Sequence, residues 1–504
     1  MVFSLPEYRS KVLGCWMGKN IGGTVGAPFE WKRQVNDITF YTQDLGGNPL
    51  PNDDLDLQLL WLIALEERGL DIDARVLGEY WLTFISPHWA EYGNGKINMR
   101  AGLVPPLSGI ENNPFKDSCG AYIRSEIWAC IAPGNPALAA KYAYEDAIVD
   151  HGDGEGMYAE VFCAAMESAA FVVGDIAALI DIGLSYIPED CGIAGATRCA
   201  QECFAQGLSW REARDVMLQR YRGGCQWFSL CEEDRQKGFA EGRLGWDAPS
   251  NIGITVLGLL YGGGDFEHTM QITVNCGEDT DCTAATAGAL FGILHGIDAI
   301  PQRWIAPIGR SIKTACLNLG ELGYFGNMLP QTVDELTQRT ERIAAMMSLS
   351  GRLGATFIED GPGDTAGVAA ASLRSGDHGG KLYRCLRGPV YRFDFFDVLV
   401  DYPDGAYARA GEPLRIQVTL ENTYRIPAAL NARWYAPAGW TVMPDCGPLY
   451  APHPWLQAKP VEKEFLLSCE RFEGNEARFA LEFTLPGRHT AMLVPVLVLN
   501  GAMK

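Results

Sequence analysis

The 504-residue sequence lacks the features of several common functional classes. It has no apolar run approaching the roughly 18 residues that a membrane-spanning helix needs, and its beginning does not read as a signal peptide. It also has no C-x-x-C pair, so neither a zinc nor a disulfide framework is expected. The sequence thus predicts a cytoplasmic protein without a membrane partner, whose fifteen cysteines are reduced.

Positive charge is scarce as well. The chain has 41 Lys and Arg against 62 Asp and Glu, a net charge of -21. Nucleic-acid binding draws most of its affinity from basic side chains on phosphates, so we predict no nucleic-acid partner. The content of 47% hydrophobic and 20% charged residues is that of a folded protein, and the length predicts two or three domains.

Helical periodicity dominates the first two thirds of the chain. Leu57, Leu60, Trp61 and Ala64 follow the i, i+3, i+4 spacing of one helix face. Strand-like alternation is scarce there, so residues 1–348 are predicted to form an all-α domain.

The character of the sequence changes after that domain. Residues 349–382 are rich in glycine without a period, which predicts a linker. Residues 383–504 contain short runs of near-alternating polarity, such as PLRIQVTLEN and ARFALEFTL, with Pro, Gly and Asn between them. They predict a small β-sandwich, so the expected fold is multidomain, all-α followed by all-β.

Three segments carry candidate chemistry. The first, GCWMGKNIGGTVGAPFE (14–30), is dense in glycine for a helical region, which permits tight packing or close approach of a ligand. It ends in Glu30, an acid in a turn. On its own, Glu30 would be interpreted as a solvated turn carboxylate.

The second segment is PNDDLDLQLLWLIALEE (51–67), in which Asn52, Asp53 and Asp54 come directly before the helical period. Asx residues at a helix start cap free N–H groups, and the helix dipole favours negative charge there. Capping needs only one of them. Capping and a bound cation are therefore equally good interpretations of this segment alone.

The third segment, NCGEDTDCTAATAGALFG (275–292), repeats the arrangement with Asp279 and Asp281 before a helix of small residues. Two acidic helix starts docked together would place four carboxylates around one point, which is unfavourable unless protons or cations neutralise them. Hard divalent cations are the natural partners, magnesium first and manganese or calcium next.

In this order and spacing the segments resemble the ADP-ribosylglycohydrolase family, which includes dinitrogenase-reductase-activating glycohydrolases and ADP-ribosylserine hydrolases. The family patterns G-x-x-x-G-x-x-x-G-D-x-x-G-x-x-x-E, T-D-D-T and G-G-D-T-D-T appear as GKNIGGTVGAPFE, NDDL and GEDTDC. Shorter matches are CGAYIR (119–124), EDAIVDHGDGEGMYAE (145–160), and Ile300, Pro301, Arg303 and Trp304. The resemblance covers roughly residues 10–345.

The resemblance implies an all-α fold with a cleft for two magnesium ions, which cleaves the bond at C1 of an ADP-ribosyl ribose. The metal ligands that we assign from it are Asn52, Asp53, Asp54, Asp279, Asp281 and Cys282. The catalytic carboxylates are Glu30 and Asp54. The positions expected to line the substrate are Gly120, Ala121, Tyr122, Arg124 and His151.

Several motif positions depart from the family pattern. Asn52 and Cys282 stand where the family has threonine; an amide oxygen suits magnesium, whereas a thiol is a poor ligand for it. Whether Cys282 or Thr283 serves the metal stays open. Glu278 and Asp56 replace glycine and glutamine, so we expect two more acids in the site than the family usually has.

Extra carboxylates would suit neutral sugar hydroxyls and repel a diphosphate. We therefore predict a magnesium-dependent hydrolase that cleaves a glycosidic bond at C1 of a ribosyl or related furanosyl group. Its partner is a small-molecule sugar or nucleotide-sugar. The alternatives are hydrolysis of ADP-ribose conjugates, with Glu278 and Asp56 ligating metal-bound water, and an inactive ligand-binding module. The segment AGWTVMP weakly resembles immunoglobulin-like modules of carbohydrate enzymes.

One long aromatic stretch, residues 86–117, suggests a lid. Trp89, Tyr92 and Asn98 are its candidate contacts with a sugar, while Tyr122 is a packing residue or a stacking platform for a base.

Overall fold

The computed structural model describes residues 1–223, 229–239, 247–317, 328–376, 378–423, 426–452, 460–489 and 491–503. The chain forms two compact units. The helical unit comprises Met1–Lys96 and Asn113–Leu382, and the β unit comprises Ile97–Asn112 and Tyr383–Lys504. The predicted order, a helical part followed by a β part, is confirmed. None of the described helices is both long and apolar enough to cross a membrane.

Eighteen α-helices occur in the described part of the chain. They are α1 (Leu5–Gly26), α2 (Asp53–Arg68), α3 (Ala74–Phe84), α4 (Ala90–Arg100), α5 (Leu107–Ile110), α6 (Glu126–Ile131), α7 (Pro136–Ala147), α8 (Glu155–Ala170), α9 (Ile176–Leu184), α10 (Gly192–Ala205), α11 (Trp210–Tyr221), α12 (Glu232–Gln236), α13 (Ala248–Gly262), α14 (Phe266–Asn275), α15 (Thr280–His295), α16 (Gln302–Ile305), α17 (Val333–Leu349) and α18 (His378–Leu382). Short 3-10 helices occupy Ala27–Phe29, Tyr122–Arg124, Ile297–Ala299, Ala370–Leu373 and Gly501–Met503.

Helix α2 is more deeply buried than its amphipathic pattern predicts. Every residue from Asp54 to Leu65 is buried, on all sides of the helix. The helix face predicted from the periodicity is buried, and Leu59, Leu62 and Ile63, which lie outside that face, are fully buried as well. Such a helix is a core element.

Helices α1 and α15 approach each other at glycine. A methyl group at Gly18 would lie 2.0 Å from the carbonyl oxygen of Gly288, and one at Gly22 would lie 2.2 Å from that of Ala284. At the end of α1, a methyl group at Gly26 would lie 2.3 Å from the carbonyl oxygen of Thr280. The dense glycine of the first motif therefore serves backbone packing, and it brings the end of α1 against the start of α15.

The segment predicted as a linker is attached to the helical unit. Strand β4 (Thr356–Ile358) pairs in parallel with β1 (Val2–Ser4). Arg374 forms an ion pair with Asp181 at 2.9 Å, and Tyr186 donates a hydrogen bond to the carbonyl of Leu373. Glycine-rich composition predicts irregular backbone but not whether that backbone packs against a neighbour.

Two five-stranded sheets form the core of the β unit. Their strands are β5 (Val390–Arg392), β6 (Phe396–Asp401), β7 (Tyr407–Ala408), β8 (Leu414–Asn422), β9 (Ala428–Tyr435), β10 (Trp440–Met443), β11 (Cys446–Ala451), β12 (Val461–Cys469), β13 (Glu476–Thr484) and β14 (Ala491–Asn500). The strand orders are β10-β12-β8-β6-β5 and β11-β9-β13-β14-β7. All pairs are antiparallel except β14 with β7.

The alternating strands bury one face of each sheet in a common hydrophobic cluster. Ile416 and Val418 of β8 contribute to it together with Leu481 and Phe483 of β13, and all four are at most 1% exposed. The cluster also includes Leu103 and Leu107, from the stretch 97–112 that was predicted to belong to the helical domain.

Candidate active site and metal centre

The first acidic helix start is capped by Asn52. Its side-chain oxygen accepts the backbone N–H of Asp54 at 2.6 Å, which meets the capping need of α2. The carboxylates of Asp53 and Asp54 are therefore not required for capping. Asn52 was predicted to bind metal, and the structure uses its oxygen as a helix cap.

The second acidic helix start also leaves its carboxylates available. Asp279 is the N-cap residue of α15, yet its side chain makes no capping hydrogen bond. Its backbone N–H instead donates to the side chain of Asn251 at 3.1 Å. Asp54 and Asp279 therefore make no capping hydrogen bond, whereas the Asp281 carboxylate faces the backbone N–H groups of Asp281 and Cys282 in the first turn of α15.

A short backbone pairing brings Glu30 to the same place. Strand β2 (Lys32–Arg33) pairs with β3 (Ser229–Leu230), and Lys32 also bridges to Glu278, whose N–H donates to the Lys32 carbonyl at 3.2 Å. Gly277, at φ 75°, permits this approach, since a methyl group there would lie 2.0 Å from the Gln34 carbonyl oxygen. Glu30, two residues before Lys32, therefore lies close to Asp279, the residue after Glu278.

Two overlapping triads of ligand atoms result. One atom each from Glu30, Asp279 and Asp281 lie within 4.8 Å of one another, and so do one atom each from Asp54, Asp281 and Cys282. We call Glu30, Asp53, Asp54, Asp279 and Asp281 the acidic cluster. Asp281 belongs to both triads.

Several oxygens of the acidic cluster are buried without a hydrogen-bond donor. Both carboxylate oxygens of Asp54 have no hydrogen-bond partner, and one oxygen of Asp279 and one oxygen of Asp281 also have none. Buried polar atoms are nearly always satisfied, so these atoms need a partner that the protein does not supply. Oxygen atoms of this kind are the ligands that magnesium and calcium prefer. The residues of the cluster therefore fit a divalent cation.

Electrostatics support the same interpretation. Burial, reinforced by Asp281, raises the pKa of Asp53 to about 6, and burial together with Asp281, Asp53 and Asp54 raises that of Glu30 to about 10. Burial and the neighbouring carboxylates raise the pKa of Asp54 and Asp279 as well. The cluster thus holds more negative charge than its surroundings stabilise.

One buried cation lies behind the cluster. The Lys19 ammonium is 4.0 Å from an Asp54 oxygen and 2.8 Å from Glu126. Burial lowers its pKa, but Glu126 and Asp54 outweigh this and hold the pKa of Lys19 above its usual range. A single lysine, shared with Glu126, does not neutralise four aspartates and a glutamate.

The acidic cluster opens into a cavity of about 510 Å³. The described residues lining it are Glu30, Trp31, Asp53, His88, Trp89, Ala90, Glu91, Tyr92, Cys119, Gly120, Ile123, Asp279, Asp281 and Cys282. Trp31 and Trp89 are each 52% exposed, and there is no lysine or arginine in this lining. The cavity combines aromatic walls with a few polar groups, as small-molecule sites commonly do.

Glu91 is the lining acid that the sequence analysis did not single out. It is 5% exposed, and one of its oxygens has no hydrogen-bond partner. Burial is the main cause that raises the pKa of Glu91 to about 7, and the charge of Asp150 adds to it while His151 opposes it. Gly120 makes room for this carboxyl group, since a methyl group there would lie 2.0 Å from its Oε1. In the sequence Glu91 is one isolated acid in an aromatic loop, which carries no signal.

Of the five residues expected to line the substrate, Gly120 is the one found among the described residues of the cavity wall. Ala121 and Tyr122 are fully buried packing residues. Arg124 and His151 are also fully buried, and neither is among the described residues of the cavity wall. For the substrate-side positions, the resemblance therefore identified a segment close to the cavity, but most of its side chains do not reach the cavity wall.

Arg124 and His151 belong to a buried ionic network. Arg124 pairs with Asp146 at 2.9 Å and with Asp150 at 2.6 Å, and Glu160 lies 3.8 Å away. The His151 Nδ1 lies 3.0 Å from Asp150, and its Nε2 lies 3.0 Å from the Ser118 hydroxyl. We call Arg124, Asp146, Asp150, His151 and Glu160 the Arg124 network. It supports the chain that carries Gly120.

The two additional acids do not enter the site, and that expectation was wrong. Glu278 is fully buried and pairs with Arg222 and, at 3.1 Å, with Arg33. Asp56 accepts the backbone N–H groups of Ala315 at 2.6 Å and Cys316 at 2.7 Å. Motif alignment placed both next to the ligands in sequence, but their side chains point to other partners.

The lid hypothesis is supported in part. Trp89 and Tyr92 line the cavity, and the Tyr92 hydroxyl donates to Asp53 at 3.3 Å. Asn98 instead donates to the backbone carbonyls of Ser108 and Glu111, within the β unit.

Comparison with known proteins identifies the class. The family model of ADP-ribosylglycohydrolase matches residues 4–343, and the chain belongs to this family. A glycohydrolase-type activity follows from that membership. A solved structure described as "ADP-ribosylglycohydrolase-related protein complex" is 21% identical over 68% of this chain and 100% of that chain, with a TM-score of 0.40. No curated protein matches the chain significantly.

Proposed function

We propose that the protein is a metal-dependent hydrolase of a glycosidic bond at C1 of a ribosyl or related furanosyl group, with a neutral leaving group. The observation that carries the substrate class is the cavity lining, which has buried acids and two half-exposed tryptophans but no lysine or arginine among its described residues. A neutral sugar offers hydroxyls to carboxylates, and a flat leaving group can stack on indole. A diphosphate would find no cationic side chain there.

The acidic cluster would hold the cations, through Glu30, Asp279 and Asp281 at one position and Asp54, Asp281 and Cys282 at another. Divalent cations bound there would supply positive charge that keeps the carboxylates ionised and attracts sugar hydroxyls.

The chain's own acids account for the proton movements. Cleavage breaks the bond from C1 to the leaving oxygen or nitrogen, and water supplies the new hydroxyl group. Glu30 or Asp54 takes the proton from that water, and Glu91, whose pKa of about 7 keeps it partly protonated near neutrality, gives a proton to the leaving atom. The neighbouring carboxylates stabilise the positive charge that develops on the sugar.

An activity screen tests this proposal. Ribonucleosides, nitrophenyl furanosides and ADP-ribose conjugates are each incubated with the protein and magnesium or manganese, with Asp281→Asn as the blank. Cleavage of the nucleosides or furanosides, absent from the blank, is the expected result.

Family membership favours the alternative, hydrolysis of ADP-ribose conjugates. Cleavage confined to those conjugates would replace our substrate assignment by this one. Absence of any cleavage, together with no change of melting temperature on adding magnesium or manganese, would indicate an inactive binding module.

A further inference from the structure

Cys282 gives one of the two cation positions a ligand that magnesium avoids. The thiol lies in the first turn of α15, lines the cavity, and is 9% exposed. Its sulfur is within 4.8 Å of an oxygen of Asp54 and an oxygen of Asp281. An ion 2.0–2.3 Å from each ligand spans ligand pairs up to ~4.6 Å apart, so the three atoms are within reach of a single ion after small side-chain rotations.

The neighbouring hydroxyl groups do not offer an oxygen in its place. Thr283 donates to the carbonyls of Asp279 and Thr280, at 3.0 Å and 3.3 Å, and is fully buried. Thr280 donates to the carbonyl of Gly26 at 2.8 Å, where α1 and α15 touch. Of the two residues that the sequence left open, Cys282 lines the cavity, whereas Thr283 is not among the described residues of its wall.

The two triads differ in chemistry. Glu30, Asp279 and Asp281 offer oxygen atoms only, as hard ions prefer. The triad with Cys282 offers two oxygens and one sulfur, and a sulfur ligand selects zinc and other thiophilic ions over magnesium.

We propose that the position formed by Asp54, Asp281 and Cys282 binds a thiophilic divalent ion, with zinc foremost, through the Cys282 sulfur, while the position formed by Glu30, Asp279 and Asp281 takes a hard ion. This inference rests on the metal-binding part of the proposed function and makes it a mixed centre. Both oxygens of Asp54 lack a donor, which is the independent sign that a cation belongs there.

Metal binding tests the proposal without any substrate. Chelator-treated full-length protein is equilibrated separately with zinc, manganese and magnesium, and bound metal is counted by mass spectrometry. Cobalt replaces zinc in a parallel titration, because a thiolate bound to cobalt gives a charge-transfer absorption. The expected result is one zinc or cobalt per chain that depends on Cys282, with the charge-transfer band present.

Cys282→Ser and Cys282→Thr are the two test variants, and Cys119→Ser is the matched control because Cys119 lines the same cavity. Both test variants should lose the band and bind zinc at least tenfold more weakly, while retaining manganese binding at the all-oxygen position. Retained manganese binding also shows that a variant is folded. The control should keep the band.

Three outcomes would overturn the proposal: no band in the unaltered protein, a band that survives in both Cys282 variants, or a band lost only with Cys119→Ser. The proposed hydrolysis is scored separately in the activity screen. A cobalt band without cleavage of any substrate would refute the proposed hydrolysis and leave the thiophilic metal position standing. Cleavage with magnesium in the absence of a band would support the hydrolysis and refute the thiophilic metal position.

Discussion

Two buried groups of carboxylates in the helical unit differ mainly in what surrounds them. In the Arg124 network, burial raises the pKa of Asp150, but Arg124 and His151 outweigh it and bring the pKa down to about 2, whereas burial keeps the pKa values of Asp146 and Glu160 raised despite the attraction of Arg124. In the acidic cluster the surroundings include the single ammonium of Lys19, and the pKa of Asp53 rises to about 6 and that of Glu30 to about 10.

The difference is whether the protein itself supplies the positive charge that a buried carboxylate needs. A carboxylate paired with arginine is satisfied in the folded protein alone, and removing the partner leaves an uncompensated buried charge. A buried carboxylate left without a donor is costly unless a proton or a cation neutralises it. Glu278 belongs with the first kind, since it pairs with Arg222 and Arg33, although it directly precedes Asp279 in sequence. Asp56 lies between the two kinds, because one of its oxygens accepts two backbone N–H groups while the other has no donor, and burial raises its pKa to about 7.

The strongest test of the comparison removes the central cation of the structural group. We expect Arg124→Gln to lower the free energy of unfolding by about 3–5 kcal/mol, because Asp146 and Asp150 lose their buried partner. Urea denaturation measures it. Arg374→Gln is the control, since its ion pair with Asp181 is exposed and contributes less than about 1 kcal/mol. Equal losses in both variants would contradict the assignment.

The corresponding change in the acidic cluster should act on function. We expect Asp281→Asn, which damages both triads, to reduce kcat/KM by about 100-fold or more. It should also abolish the rise in melting temperature that magnesium or manganese produces. In chelator at pH 8 the variant should be more stable than the unaltered protein, because a poorly tolerated charge is gone. The exposed Asp298→Asn is the control, and a metal-induced stabilisation retained by Asp281→Asn would argue against the cluster.

Glu91 gives a pH test within the same cavity. Its folded-state pKa is raised to about 7 from an ordinary value of 4.5, so between these two pH values the folded protein holds a proton that the unfolded chain releases. Its contribution to stability is therefore present below about pH 4.5 and is lost as pH rises through 7.

We accordingly expect Glu91→Gln to flatten the decline of stability between pH 5 and 8, by on the order of 1–3 kcal/mol. Unfolding curves in chelator at several pH values measure this. A decline identical to that of the unaltered protein would mean that Glu91 is ionised in the fold.

The smallest effect is expected at Asp56. Asp56→Asn keeps an oxygen that can accept from Ala315 and Cys316, so we expect a cost of about 1 kcal/mol and nearly unchanged activity. A loss of metal binding in this variant would restore the interpretation that Asp56 serves metal-bound water.

Much of the site could be predicted because its elements are local. An Asx run before a helical period shows a helix start, and the repeated Asp motif shows a second one, so Asp54 and Asp281 were found from sequence. Glu91 was not found, since an isolated acid has no pattern. Arg124 and His151 were placed near the cavity, but burial decides whether a side chain reaches it, and burial depends on the whole fold.

By itself, the sequence determined the helical and β regions, the four aspartates at two helix starts and the glycines that allow α1 to meet α15. These features depend on neighbouring residues, whose spacing sets capping, periodicity and steric size. Only the tertiary structure decided which carboxylate meets an arginine and which is left without a donor. Arg33 pairs with Asp247, which is 214 residues away in the sequence, and no local sequence pattern predicts such a pair. Charge pairing across such distances is set by packing, and it is this packing that leaves oxygens of the acidic cluster without a donor.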